Sequence, residues 1–250
     1  MKWADWLIIK ETDSYFDLTD AQNKELKEKI QKDLVRLKKE SFPPMAKYLR
    51  KIADHVKNDK ITFESITQLQ TEALVTMRTA FNHFQPTALD FALNASPEQI
   101  EYFKKKYKKE TDKRIDEIKT DKDKFKLQKK RFEKWTDQWL GDLNSDQENA
   151  LDEHIKFHPF PWVLQIRSRE VSLNKFLEAR KSRSQLKAYM DQVEEERDPE
   201  YEVALKQYQL HLMNFILKLY QSLTKEQKDH LLKSLKARAQ EFEDLAPVAL

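Results

Sequence analysis

Apolar residues recur along most of this chain at steps of three and four, the period of helices with one buried face. Leu26, Ile30, Leu34 and Leu37 mark one such face, and Met45, Tyr48, Leu49, Ile52 and Val56 the next. No convincing segment alternates apolar and polar positions, so no sheet is expected. An aromatic-rich helix or turn over residues 3–16 carries Trp3, Trp6, Leu7, Tyr15 and Phe16, which should pack on something. The following helix runs to about Glu40 and stops at Phe42-Pro43-Pro44, because a residue before proline avoids the α region. Asn58-Asp59-Lys60 reads as a turn, and Thr62 as the cap of a helix reaching about Leu93 with a kink at Pro86. From Pro97 to Leu140 there is neither proline nor glycine after the first residue, and Ile100, Phe103, Tyr107, Ile115, Ile118, Phe125, Phe132, Trp135 and Trp139 mostly keep helical steps. That predicts one helix on the order of 66 Å long, closed by Gly141 in the left-handed conformation. A helix over 145–157 is then broken by His158-Pro159-Phe160-Pro161. Helical patterns follow over 162–195, from Pro199, and from the region of Thr224 to about Leu245, with a loose tail from Ala246.

Four helix starts share a phrase: Leu18-Thr19-Asp20-Ala21-Gln22, Ala95-Ser96-Pro97-Glu98-Gln99, Leu143-Asn144-Ser145-Asp146-Gln147 and Leu223-Thr224-Lys225-Glu226-Gln227. A small polar residue with glutamine three positions on is a capping box: the side chain accepts the N3 amide, and the glutamine reaches back to the N-cap amide. Thr19/Gln22, Ser96/Gln99 and Thr224/Gln227 fit it, and Asn144/Gln147 is a variant. Repeats one and three begin 125 residues apart (positions 18 and 143), and two and four 128 (95 and 223). Their paired register predicts a duplicated helical unit, residues 1–125 and 126–250, sharing the helix of about 97–140. The interval from repeat to proline break differs, 24 residues in the first half (19 to 43) and 15 in the second (144 to 159).

Composition agrees with this pattern. Of 250 residues, 39% are hydrophobic and 36% charged, and one is glycine. Turns needing positive φ are therefore nearly absent, and the expected fold is all-α: an elongated multi-helix bundle or cradle of two pseudo-repeated units. The 46 basic and 43 acidic residues leave a net charge of +3, which gives no reason to invoke nucleic acid. Without cysteine no disulfide, thiolate catalyst or thiolate metal site can form. No apolar run approaches the length of a membrane span, and Met1 to Trp6 does not read as a signal peptide. Phosphate loops, nucleophile elbows and zinc-protease motifs are missing, so neither catalytic residues nor a cofactor is expected.

The LTxxQ phrase, used twice per unit of an all-helical chain, resembles the signature of the Spy/CpxP family of bacterial periplasmic proteins. Leu18-Thr19-Asp20-Ala21-Gln22 and Leu223-Thr224-Lys225-Glu226-Gln227 match it fully, whereas the second site has Ala-Ser and the third Asn. Trp6-Leu7-Ile8, Asp13-Ser14-Tyr15-Phe16-Asp17-Leu18, Pro44-Met45-Ala46-Lys47-Tyr48 and Trp139-Leu140-Gly141-Asp142-Leu143 are similar to a family of bacterial lipoproteins of unknown function. Those proteins carry a lipidated cysteine before the tryptophan-rich start; in this chain that feature is trimmed off or missing. The resemblance implies a periplasmic protein, lipid-anchored in its native form, touching membrane only through that anchor. Spy-type relatives further imply ATP-independent holding of unfolded clients on a helical surface with apolar and basic patches. The alternative is a structural adaptor that binds one protein partner through a helical groove.

Trp162, Arg167, Arg169, Phe176, Arg180 and Arg183 combine cationic and aromatic groups and form the best candidate for a partner-binding face. The competing reading pairs these arginines with nearby acids such as Glu170 and Glu178. His154 and His158 stand four apart on one helix face, a spacing that can hold a metal, but no third ligand is evident and no metal site is expected. Glu194-Glu195-Glu196 with Asp198, and the lysine clusters between Lys104 and Lys130, read as solvated helix surface.

Overall fold

The computed structural model describes residues 4–246. Among them the chain is all-α, a multi-helix bundle of twelve helices without a strand. They are α1 (Ala4–Phe16), α2 (Asp20–Glu40), α3 (Phe42–Lys57), α4 (Phe63–Asn82), α5 (Gln85–Asn94) and α6 (Pro97–Asp116), then α7 (Asp121–Trp139), α8 (Ser145–Phe157), α9 (Trp162–Ala179), α10 (Arg183–Asp191), α11 (Pro199–Gln221) and α12 (Lys225–Leu245). The expected packing of Trp3 and the tail after Ala246 lie outside the described residues.

Three expectations are corrected. The long helix over 97–140 is two helices, because Ile118 is buried and Thr120 starts α7 with a capping box of its own on Asp123. Pro86 does not kink a helix but sits in the first turn of α5, where its missing N–H costs nothing. Trp6 and Leu7 are largely exposed, while Tyr15 and Phe16 meet the Phe103 ring at 6.2 and 4.8 Å between ring centres.

Contacts group the helices into two compact units, each drawn from three stretches of chain. The first holds the described residues of Met1–Leu37, Ala80–Asp116 and Val163–Tyr201; the second holds those of Lys38–Thr79, Glu117–Trp162 and Glu202–Leu250. These are not the contiguous halves 1–125 and 126–250, whose boundary falls within α7. Repeats one and two lie in the first unit, and three and four in the second.

Two small apolar clusters build the first unit. Leu18, Leu26 and Ile30 pack with Ile8, Phe16 and Phe91, and Leu89, Ala92 and Leu186 with Phe176 and Tyr189. Asp33 is buried there, accepting from Thr87 Oγ1 at 2.5 Å and paired with Arg36. A larger cluster fills the second unit, with Ala53, Val56, Leu140, Leu151, Ile155, Phe215, Leu219 and Leu235 at its centre. Here α3 runs along α12, fastened at one end by Phe42 edge-on to Phe242 and by the Arg50 guanidinium donating to Glu243 at 2.7 and 2.5 Å.

Candidate functional site

All four capping boxes form, and their glutamines then find one another. In the first unit Gln22 Nε2 donates to Gln99 Oε1 at 3.1 Å, and Gln99 Nε2 returns the bond at 2.8 Å. In the second, Gln147 Nε2 donates to Gln227 Oε1 at 2.9 Å and receives a bond at 2.8 Å. Each Oε1 also accepts its own N-cap amide: Thr19 and Ser96 at 3.1 Å, Asn144 and Thr224 at 3.0 Å. The spare amide hydrogens reach the partner's approach loop, Gln227 to the Asp142 carbonyl at 2.7 Å and Gln147 to that of Ser222 at 3.1 Å. Each repeat pair therefore ties two helix starts side by side, and the residues the sequence offered as caps are a structural clasp.

The second unit contains an apolar cleft of about 390 Å³, lined by Tyr48 and Ile52 of α3, Ile66 and Leu69 of α4, Trp135 and Trp139 of α7, Leu219 and Tyr220 of α11 and Leu231 of α12. Its two phenols face backbone or acid: Tyr48 Oη donates to the Leu69 carbonyl at 3.0 Å and Tyr220 Oη to Asp59 at 2.9 Å. Burial, together with that carboxylate, pushes Tyr220 up to about 12. The Lys228 ammonium lies 5.0 Å over the Tyr220 ring and 3.2 Å from Asp59. Beyond Ile66 and Gln70, at steps of four and three along α4, Leu74 and Met77 stand about half exposed.

A second cleft of about 650 Å³ in the same unit borders the Gln147 clasp and three histidines. His158 stacks on His211 with ring centres 3.8 Å apart, and His154 stacks on Phe215 at 4.5 Å. His154 is buried, its Nε2 has no partner, and burial followed by the neighbouring His158 and His211 lowers it to about 4. His211 is the third imidazole that spacing alone could not supply, since it comes from α11, 53 residues after His158 (positions 158 and 211). The His154 and His158 rings are tilted 44° to each other at 5.6 Å, and no group of three or more His, Asp or Glu among the described residues is placed to hold a metal ion.

The residues of the expected cationic–aromatic face find partners within their own units. Trp162 belongs to the second unit and is buried under the Arg131 guanidinium, 4.5 Å above its ring. The other five residues belong to the first unit, each with an internal partner. Arg167 forks onto Asp198 at 3.0 and 2.7 Å and also meets Glu200, and its charge holds the Asp198 carboxyl below the usual range. Arg169 lies 4.4 Å over the Tyr107 ring and donates to Thr111 Oγ1 at 3.2 Å. Arg180 donates to the carbonyls of Ala92 and Ala95 at 3.2 and 2.9 Å, satisfying the end of α5. Arg183 pairs with Asp90 at 2.8 Å, and Phe176 is half-buried against the Leu89 and Leu186 cluster. Acids do take Arg167 and Arg183, though not Glu170 or Glu178; backbone and ring contacts take the other two arginines.

What sequence reasoning missed is the apolar cleft. Its α3 residues were visible as a helix face, and Trp135 and Trp139 as a helical pair, but periodicity does not say which facing surfaces meet incompletely. No curated protein and no solved structure matches the chain. Residues 14–209 match DUF6279, a family of unknown function, and the chain belongs to that family.

Proposed function

We propose that this chain is a non-enzymatic helical binding protein of the bacterial cell envelope that holds apolar segments of protein clients without ATP. The observation that carries this reading is the exposed apolar strip of α4, Leu74 and Met77 at 48% and 51% exposure, beside the lining of an apolar cleft. Such a surface gains free energy by covering apolar area and demands no particular sequence of its partner. The envelope assignment, periplasmic and lipid-anchored, rests on the likeness of the four repeats and the tryptophan-rich start to periplasmic proteins. No helix among the described residues is long and apolar enough to cross a membrane. The adaptor reading, one partner in one groove, draws on the same cleft as a discrete concave site.

The test is suppression of the aggregation of a chemically unfolded client, followed by light scattering without ATP. The wild-type chain suppresses scattering, and the double variant Leu74→Glu, Met77→Glu loses most of the effect while melting unchanged. No suppression by wild type at several-fold molar excess overturns the holding function. One stoichiometric partner in a pull-down, with no suppression, selects the adaptor.

A further inference from the structure

We infer that the apolar cleft of the second unit binds the hydrocarbon chain of a long-chain fatty acid, with its carboxylate at Lys228. This goes beyond the client reading, which places protein segments on the α4 strip, and either can fail alone. The cleft volume, about 390 Å³, falls in the range of small-molecule sites. Its lining is almost wholly aliphatic and aromatic, and the hydroxyls of Tyr48 and Tyr220 are already donated to Leu69 and Asp59. A polypeptide entering it would bring an N–H and a C=O with every residue, and each one left unpaired weakens binding by a factor on the order of ten. An alkyl chain brings none, and each methylene removed from water strengthens binding about fourfold.

Charge selects the head group. The Lys228 ammonium lies 5.0 Å from the ring of Tyr220, a residue of the cleft lining, and its present counter-ion, Asp59, is a largely exposed carboxylate on the turn after α3. A ligand carboxylate can take the place of Asp59 there without leaving a charge buried and unpaired.

The experiment titrates the full chain with stearic acid brominated in mid-chain, kept below its critical micelle concentration, and follows tryptophan emission. Trp135 and Trp139 line the cleft and Trp162 does not, so quenching should be saturable and mostly lost in Trp135→Phe, Trp139→Phe. Unlabelled saturated acids from ten to sixteen carbons should displace the probe with affinity rising about fourfold per methylene until the cleft is full. This series uses wild-type protein and stands if a variant misfolds. Filling the cleft with Ile66→Phe, Leu231→Phe should weaken the probe at least about tenfold. Lys228→Gln should weaken stearate several-fold and leave stearyl alcohol unchanged. Unsaturable quenching, affinity indifferent to chain length, or displacement by an apolar decapeptide at lower concentration than stearate would overturn the assignment. Equal binding of lysophosphatidylcholine, unaffected by Lys228→Gln, would overturn the carboxylate as the head group recognised. Loss of stearate binding in the filled variant with client holding intact separates this inference from the holding function.

Discussion

The Gln147–Gln227 clasp of the second unit and the Gln22–Gln99 clasp of the first make the same reciprocal bonds under different degrees of burial. Gln147 and Gln227 are 2% and 7% exposed, whereas Gln99 is 8% exposed and Gln22 only half-buried. Backbone support differs in the same sense: carbonyls accept from the second clasp at 2.7 and 3.1 Å, and from Gln99 at 3.4 Å. Hydrogen-bond count therefore does not measure what each clasp contributes. Where water can replace a lost partner, the loss is small; where it cannot, the orphaned amide bears its full desolvation cost.

The largest expected effect follows from that contrast. Gln147→Ala removes both bonds between two buried glutamines, with those to the Ser222 carbonyl and the Asn144 N-cap amide, and should destabilise by about 3 kcal/mol. Gln22→Ala removes the equivalent bonds where water has access, and should cost about 1 kcal/mol. Urea denaturation of the two variants compares them directly. Equal losses would mean that burial is not what separates the clasps.

The second effect is confined to one unit by its histidines. The second unit carries His154, lowered to about 4 chiefly by burial; the first carries only His83. An unfolded chain protonates such a residue near pH 6.5, but the folded one resists until about pH 4. Stability contributed by neutral His154 is therefore complete above pH 6.5 and is lost as pH falls from 6.5 towards 4, by up to about 3 kcal/mol. His158 is lowered as well, through desolvation and then His211 and Lys218, and adds in the same direction. His154→Phe keeps a ring against Phe215 and removes the titrating nitrogen, so its curve of unfolding free energy against pH should be flatter. A slope unchanged by that substitution would locate the acid sensitivity elsewhere.

These contrasts also show what the sequence could carry. Helix starts were legible because a capping box is local chemistry within four residues: Asn144, Thr224 and Asp198 begin α8, α12 and α11 where the pattern placed them. The break at Thr120 was equally local, but its N3 partner is Asp123 in place of glutamine, and it passed as surface charge. That the caps act in pairs was not legible, because Gln22 meets Gln99 and Gln147 meets Gln227 across intervals of 77 and 80 residues. The same limit hid His211 from His158 and kept Arg169 and Arg180 from being matched to Tyr107, Thr111 and Ala95. Helical period gives each face its character, and the choice of facing partner is set only in three dimensions.

The smallest effects come from the two turns that lead into repeats one and three. After α1 the chain turns at Asp17 with φ +50°, and after α7 at Gly141 with φ +77°, both left-handed. Their amides close the preceding helices, Asp17 on the Asp13 carbonyl at 2.8 Å and Gly141 on that of Thr136 at 3.0 Å. A Cβ at position 141 would meet the His230 ring at 3.9 Å, an ordinary contact, so Gly141→Ala should lose about 1 kcal/mol through backbone strain alone. Asp17 already bears part of that strain, and aspartate tolerates it better than alanine does. Asp17→Gly relieves it while making the unfolded chain more flexible, so the net gain should be only about 0.5 kcal/mol. Thermal melts of both variants should therefore shift in opposite directions. A loss at both positions would show that the Asp17 carboxylate contributes more to its turn than its strained backbone costs.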